Sequence, residues 1–160
     1  MKDLVTIAQQ IAGILVARRQ TVAVAESSTG GLISASLLAV PGASAYFLGG
    51  AVVYTRDARR LLADIPDEAM KGIRSASEPY AQLLAARIRE RFATDWGLSE
   101  TGATGPAGNR YGDAPGHSCM AVAGPRSSVI TLETGSADRL ANMHAFAAKA
   151  LKLMLQNLSG

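Results

Sequence analysis

The stretch "VAVAESSTGG", Val22 to Gly31, sets an apolar run against one carboxylate, three hydroxyls and two glycines. Thr21 to Ala25 is a short β-favouring run, and "GGLISASLLAV", Gly30 to Val40, continues it as a helix stopped by Pro41-Gly42. The hydroxyls therefore fall at a strand-to-helix junction, beside the amides that a helix start leaves unpaired. Glycine lets a ligand approach the backbone, and N–H groups preset toward developing negative charge are the basis of acyl-transfer electrostatics. A plain helix cap, worth about 1 kcal/mol, also accounts for one Ser or Thr here.

Working outward, Leu4, Ile7, Ile11, Ile14 and Leu15 share one helical face, so residues 3–19 read as an amphipathic helix. Residues 45–55 read as a strand with a kink or bulge at Gly49-Gly50, followed by a short helix near Asp57. Ser77-Glu78-Pro79 signals a helix start, continued by Tyr80 to Phe92. Residues 96–108 read as a strand entering a glycine-rich loop that runs on through "NRYGDAPG". "HSCMAVAG" and "SSVITLET" form a hairpin turning at Gly124-Pro125. Asp138 to Leu158 is a last helix with Leu140, Met143, Ala147, Leu151 and Met154 inward. Strands interleaved with helices imply an α/β fold, a three-layer α-β-α sandwich, and the hairpin makes its sheet mixed.

At 160 residues and 48% hydrophobic, the chain fits a single domain over residues 1–160. Net charge is +3, but Lys and Arg are scattered and even "RDARR", Arg56 to Arg60, holds an acid. That excludes a nucleic-acid stripe and suits a small anion. Cys119 is the lone cysteine, so there is no internal disulfide and no multi-cysteine metal site, and no metal or cofactor is expected. The N-terminus lacks the basic-then-apolar order of a secretory signal, which makes the cytoplasm the expected compartment. No charge falls between Glu26 and Arg56, yet glycines and Pro41 break that run into pieces too short to span a membrane. A homo-oligomer is compatible with the sequence.

"TGATGPAG", Thr101 to Gly108, is a second glycine-rich turn after a strand, so the two loops are expected to line one crevice at the strand ends. Neither is a Walker A loop or has the Rossmann spacing. No Gly-x-Ser-x-Gly occurs, and the only histidines are His117 and His144, which disfavours a Ser-His-Asp hydrolase.

"AESSTGG" (Ala25–Gly31), "VPGASAYFLGGAVVYTRDAR" (Val40–Arg59), "ASEP" (Ala76–Pro79) and "TGATGPAG", in that order, resemble the C-terminal domain of the CinA family, whose stand-alone form is nicotinamide-nucleotide amidase. The resemblance implies hydrolysis of the carboxamide of nicotinamide mononucleotide. Ser27 would be the nucleophile, Tyr54 the family's tyrosine, and donors around Thr29, Gly30 and Gly31 the oxyanion site. Thr101, Gly102 and Gly105 would form the second substrate-binding loop and Arg139 would hold the phosphate. Glu26 would fix the turn by hydrogen bonding or serve the fold alone. Four departures stand out: Ser28 replaces the family's cysteine, Ala107-Gly108 its Gly-Gly and Arg59 its lysine, and the fourth lies in the last helix. The family's second arginine of the last helix falls near Asn142-Met143. A guanidinium stays charged and cannot act as a base, though it can stabilise a Tyr54 phenolate. The alternative implied function is a paralogue that binds a nucleotide or related small anion with little or no catalysis.

Overall fold

Every residue of β1, Val22–Glu26, is buried, which requires a partner strand on each side and a helical layer on each face. The computed structural model, which describes residues 1–160, supplies all four. β1 pairs in parallel with β2 (Phe47–Val52) and with β3 (Trp96–Ala103). β4 (His117–Ala123) and β5 (Ser128–Glu133) extend the sheet antiparallel, giving the order β2-β1-β3-β4-β5. The helices are α1 (Lys2–Arg18), α2 (Leu32–Leu38), α3 (Arg56–Ala63), α4 (Glu78–Phe92) and α5 (Arg139–Ser159).

The connection from β1 to β2 and the connection from β2 to β3 run in opposite directions across the sheet. With one crossover handedness they must cover opposite faces. One face packs Val22, Val24, Leu98 and Met120 against Leu4, Ile11, Ile33 and Phe146 of α1, α2 and α5. The other packs Ala23 and Ala25 against Ala63, Leu84 and Ile88 of α3 and α4. This is the mixed three-layer sandwich expected. α4 lies close on β3, since a Cβ at Gly97 would stand 2.1 Å from the Ala85 carbonyl oxygen.

The boundaries shift for local reasons. α2 starts at Leu32, because Gly30 and Gly31 hold φ of 62° and 106°, outside the helical region. β2 is shorter than residues 45–55, and its register slips between Phe47 and Gly49. Thr101, Gly102 and Ala103, expected in the loop, continue β3 because β4 pairs with them. Leu140, expected inward, is 77% exposed in the first turn of α5, and the buried position goes to Asn142, which donates to the Thr104 and Ser136 carbonyls. The uncharged run after Glu26 is divided between α2 and β2, and no helix is long and apolar enough to cross a membrane.

Candidate active site

The two-residue period of β1 sorts the residues of its carboxyl end. Val24 faces the α1/α2/α5 layer and Ala25 the α3/α4 layer; Glu26 follows Val24, and Ser27 follows Ala25. Ser27 lines a cavity of about 490 Å³ together with Tyr54, Arg59, Tyr80 and Thr101. Ser28 is buried and donates its hydroxyl to Glu100 Oε1. Ser27 engages only its backbone in this turn, its N–H on the Glu100 carbonyl and on Glu100 Oε2 at 3.2 Å, and its hydroxyl has no protein partner. The cavity opens at the carboxyl ends of the parallel strands, where α/β sheets hold their ligands.

The expected oxyanion donors are otherwise engaged. Thr29 N–H donates to Glu100 Oε2 (3.0 Å), Gly31 N–H to Glu26 Oε1 (2.7 Å) and Gly30 N–H to the Ser27 carbonyl (3.2 Å). Glu26 and Thr29 are fully buried, and neither they nor the two glycines line this cavity or the smaller one beside it. Buried carboxyl groups in a low dielectric claim the nearest donors, so this part of the expected substrate-binding set shapes the turn instead. Ser28 N–H is the one amide of residues 27–31 without an intramolecular partner.

Tyr54, 59% exposed, stands between the main cavity and a smaller one of about 170 Å³. Gly102 lines both, while Gly105 and Arg139 line the smaller. Arg139 donates to the Gly105 carbonyl (2.6 Å) and to the Tyr54 hydroxyl (3.3 Å). α5 delivers it in its first turn, capped by the Asp138 carboxylate on Ala141 N–H. Thr101 lines the main cavity and accepts from Ala76 N–H (3.1 Å).

Arg59 makes no hydrogen bond to Tyr54, though both line the main cavity. It is nearly buried, its Nε donating to the Ile65 carbonyl (3.2 Å) and its Nη2 to Asp67. Arg56 grips the same carboxylate through two nitrogens. Hydrogen bonding from Arg56, with the charges of Arg56 and Arg60 and a hydrogen bond from Arg59 adding to it, holds Asp67 down to about 2. Burial pushes the Tyr80 phenol up to about 12, so it lines the cavity as a neutral group.

Sequence reasoning missed several groups here. The loop "NRYGDAPG" walls the cavity: Asn109 Oδ1 accepts from Tyr111 and Asp113 N–H, and Arg74 clamps Asp113 at 2.7 and 3.1 Å. Arg74 and Arg110 lie 5.3 and 5.0 Å from the Tyr111 ring centroid. A hydrogen bond from Arg110 lowers the Tyr111 phenol. Glu100 was missed too, although a lone acid inside the apolar run "WGLSE" was a readable signal. His117 borders the wall with both ring nitrogens engaged, Nδ1 to Glu133 and Nε2 to the Ala76 carbonyl.

These features define an α/β sandwich in which an interior strand, β1, runs into a serine that lines a guanidinium-lined crevice. The chain belongs to the family of the CinA C-terminal domain, whose model matches residues 4–158. It is 41% identical over 120 residues to a "CinA-like protein" of Gloeobacter violaceus, covering 75% of this chain and 28% of that protein. It is 37% identical over 153 residues to one of Acidobacterium capsulatum, covering 96% and 37% respectively. The chain thus spans roughly a third of the length of these curated relatives. The crystal structure of a competence/damage-inducible protein from Agrobacterium tumefaciens superposes with a TM-score of 0.90 at 26% identity, covering 99% of this chain and 96% of that one. A CinA superfamily protein of Klebsiella pneumoniae shares the fold, with a TM-score of 0.90 at 22% identity over 98% of each chain.

Proposed function

We propose that this chain is an amidohydrolase that converts nicotinamide mononucleotide to nicotinate mononucleotide and ammonia. The observation that carries the reading is the sorting of two adjacent serines: the Ser28 hydroxyl is spent on Glu100, and Ser27 lines the cavity beside Tyr54. Ser27 Oγ attacks the carboxamide carbon, and the Ser28 N–H is the donor available to the oxyanion. The carbon–nitrogen bond breaks, and ammonia leaves carrying the serine proton. Water then cleaves the acyl ester, releasing the acid and restoring Ser27. Neither Arg59 nor Arg139 can relay that proton as a base, because guanidinium stays charged; Tyr54, which accepts from Arg139, is assigned to it. The phosphate goes to the smaller cavity, where Arg139 has no acidic partner.

The test is ammonia release from the purified protein given nicotinamide mononucleotide. Ser27→Ala is expected to abolish it without changing the melting temperature by more than a few degrees. Turnover that survives in Ser27→Ala overturns the assignment. A second reading, a paralogue that binds the nucleotide without turnover, is favoured by Arg59, whose guanidinium is tied to Asp67 and Ile65. Binding by wild type with no ammonia released selects it.

A further inference from the structure

Two carboxyl groups lie side by side beneath the Ser27 turn, because Glu26 of β1 is in register with Glu100 of β3. Both are fully buried, and no Lys, Arg or His pairs with either. Two anions this close, with no cation and no water-like dielectric, oppose each other's ionisation.

Their hydrogen-bond partners are of different kinds. Glu26 receives three backbone N–H groups across its two oxygens: Gly31 (2.7 Å) and Ile33 (3.2 Å) on Oε1, and Ser34 (2.9 Å) on Oε2. Such a set stabilises a carboxylate. Glu100 has backbone donors on one oxygen only, Ser27 N–H (3.2 Å) and Thr29 N–H (3.0 Å) on Oε2. Its Oε1 meets hydroxyls alone, those of Ser28 and Ser118. Ser118 Oγ also lies 3.2 Å from the Thr101 carbonyl, which can only accept. The one Ser118 proton can serve only one of these two contacts; given to the carbonyl, it leaves the Ser118 oxygen, 2.9 Å from Oε1, free to accept there. Thr29 Oγ1 sits 2.7 Å from Glu26 Oε1 and 3.0 Å from Glu100 Oε2 with one proton to give. Given to the nearer Glu26, it leaves two oxygens facing across the other contact, which an anionic Glu100 would oppose.

We infer that Glu26 is the carboxylate and Glu100 a neutral carboxylic acid, its proton on Oε1, and that Glu100 in this state is a positioning residue for Ser27. The acid takes the Ser27 and Thr29 amides on one oxygen and donates to Ser118 from the other. It ties the serine turn to β3 and β4 without adding a second negative charge behind the carbon that Ser27 attacks. Burial pushes the Glu100 carboxyl up, in the same direction. The positioning role rests on the amidase reading; the charge state does not.

Infrared spectroscopy of the full chain at neutral pH tests the charge state directly. A protonated-carboxyl band is expected in wild type and should vanish in Glu100→Gln. Glutamine reproduces the acceptor for the Ser27 and Thr29 amides and the donor to Ser118, and only the Ser28 hydroxyl must turn to accept instead, so this variant should melt within a few degrees of wild type. A raised folded pKa means stability that is full below about 4.5 and lost as pH rises through the folded value. The melting temperature of wild type relative to Glu100→Gln should therefore fall with rising pH. β4 presents Ser118 and Met120 to Glu100 and the turn presents Ser28 and Thr29; Glu26 is the only titratable group sharing a partner with it. For the positioning role, Glu100→Gln should retain turnover that Glu100→Leu loses, the loss falling on kcat rather than KM. No protonated-carboxyl band in wild type, or a Glu100→Gln variant that fails to fold, overturns the charge assignment. Equal loss of turnover in a folded Glu100→Gln overturns the positioning role. A wild type without amidase activity refutes the proposed function, and the infrared and melting results still decide Glu100.

Discussion

Ser27 and Ser28 are chemically identical and adjacent, and the alternation of β1 gives them separate environments. Ser28 answers Glu100 inside the sandwich, so Ser28→Cys, which restores the family's residue, replaces a strong hydroxyl donor by a weak thiol one. We expect a loss of about 1–3 kcal/mol in urea unfolding. Arg59 poses a different question. Replacing it with lysine puts an amine where the family has one, but Asp67, held at about 2, is anionic at any working pH and keeps a nearby ammonium charged. Turnover of Arg59→Lys is therefore expected to be no higher than wild type, and a rise would assign the base to that position.

At the scale of elements, the cavity wall is held by contacts between segments far apart in sequence. Ala76, at φ 55°, donates to Thr101 of β3 and accepts from His117 of β4, which in turn binds Glu133 of β5. Burial pulls the His117 imidazole down, but hydrogen bonds to Glu133 and Ala76, with the charge of Asp113, outweigh it and raise the group above 6.5. Both of its nitrogens face acceptors, so the folded state favours the imidazolium. This stabilisation is full below about 6.5 and is lost as pH rises through the raised value. The melting temperature of wild type should fall across that range, and the step should disappear in His117→Asn. At the other end of the site, Asp138→Ala removes the cap of α5 and should cost about 1 kcal/mol, read by chemical denaturation.

At the scale of the molecule, the two helical layers are held at the distance the sheet allows. Gly97 marks a close approach of α4 to β3, and an added methyl there meets backbone rather than a flexible side-chain end. Gly97→Ala should cost about 1–3 kcal/mol in urea unfolding, through a shift of α4. Because α4 also carries Tyr80 into the main cavity, the same variant should raise KM for the nucleotide. Gly72, with nothing near its absent Cβ, holds φ of 76°, so its alanine variant separates backbone strain from overpacking.

The sequence by itself determined the layered α/β architecture, since apolar periods of two and of three to four alternate along the chain and the Gly-Pro and Ser-Glu-Pro signals mark the breaks between them. It also brought Ser27, Tyr54, Thr101 and Gly102 to one edge, because strand-end loops of a parallel sheet must open on the same side. Only the tertiary structure decided which donors remain for chemistry. Glu26 and Glu100 are 74 positions apart in the chain and become neighbours when β1 pairs with β3. Once buried there without a cation, they claim the amides and hydroxyls of the turn, and no local pattern around Thr29 to Gly31 records that competition. Tertiary packing likewise set Arg59 on Asp67 and Arg139 on Tyr54. A long guanidinium side chain reaches whichever carboxylate or hydroxyl folding brings near, and its position in the sequence does not specify which.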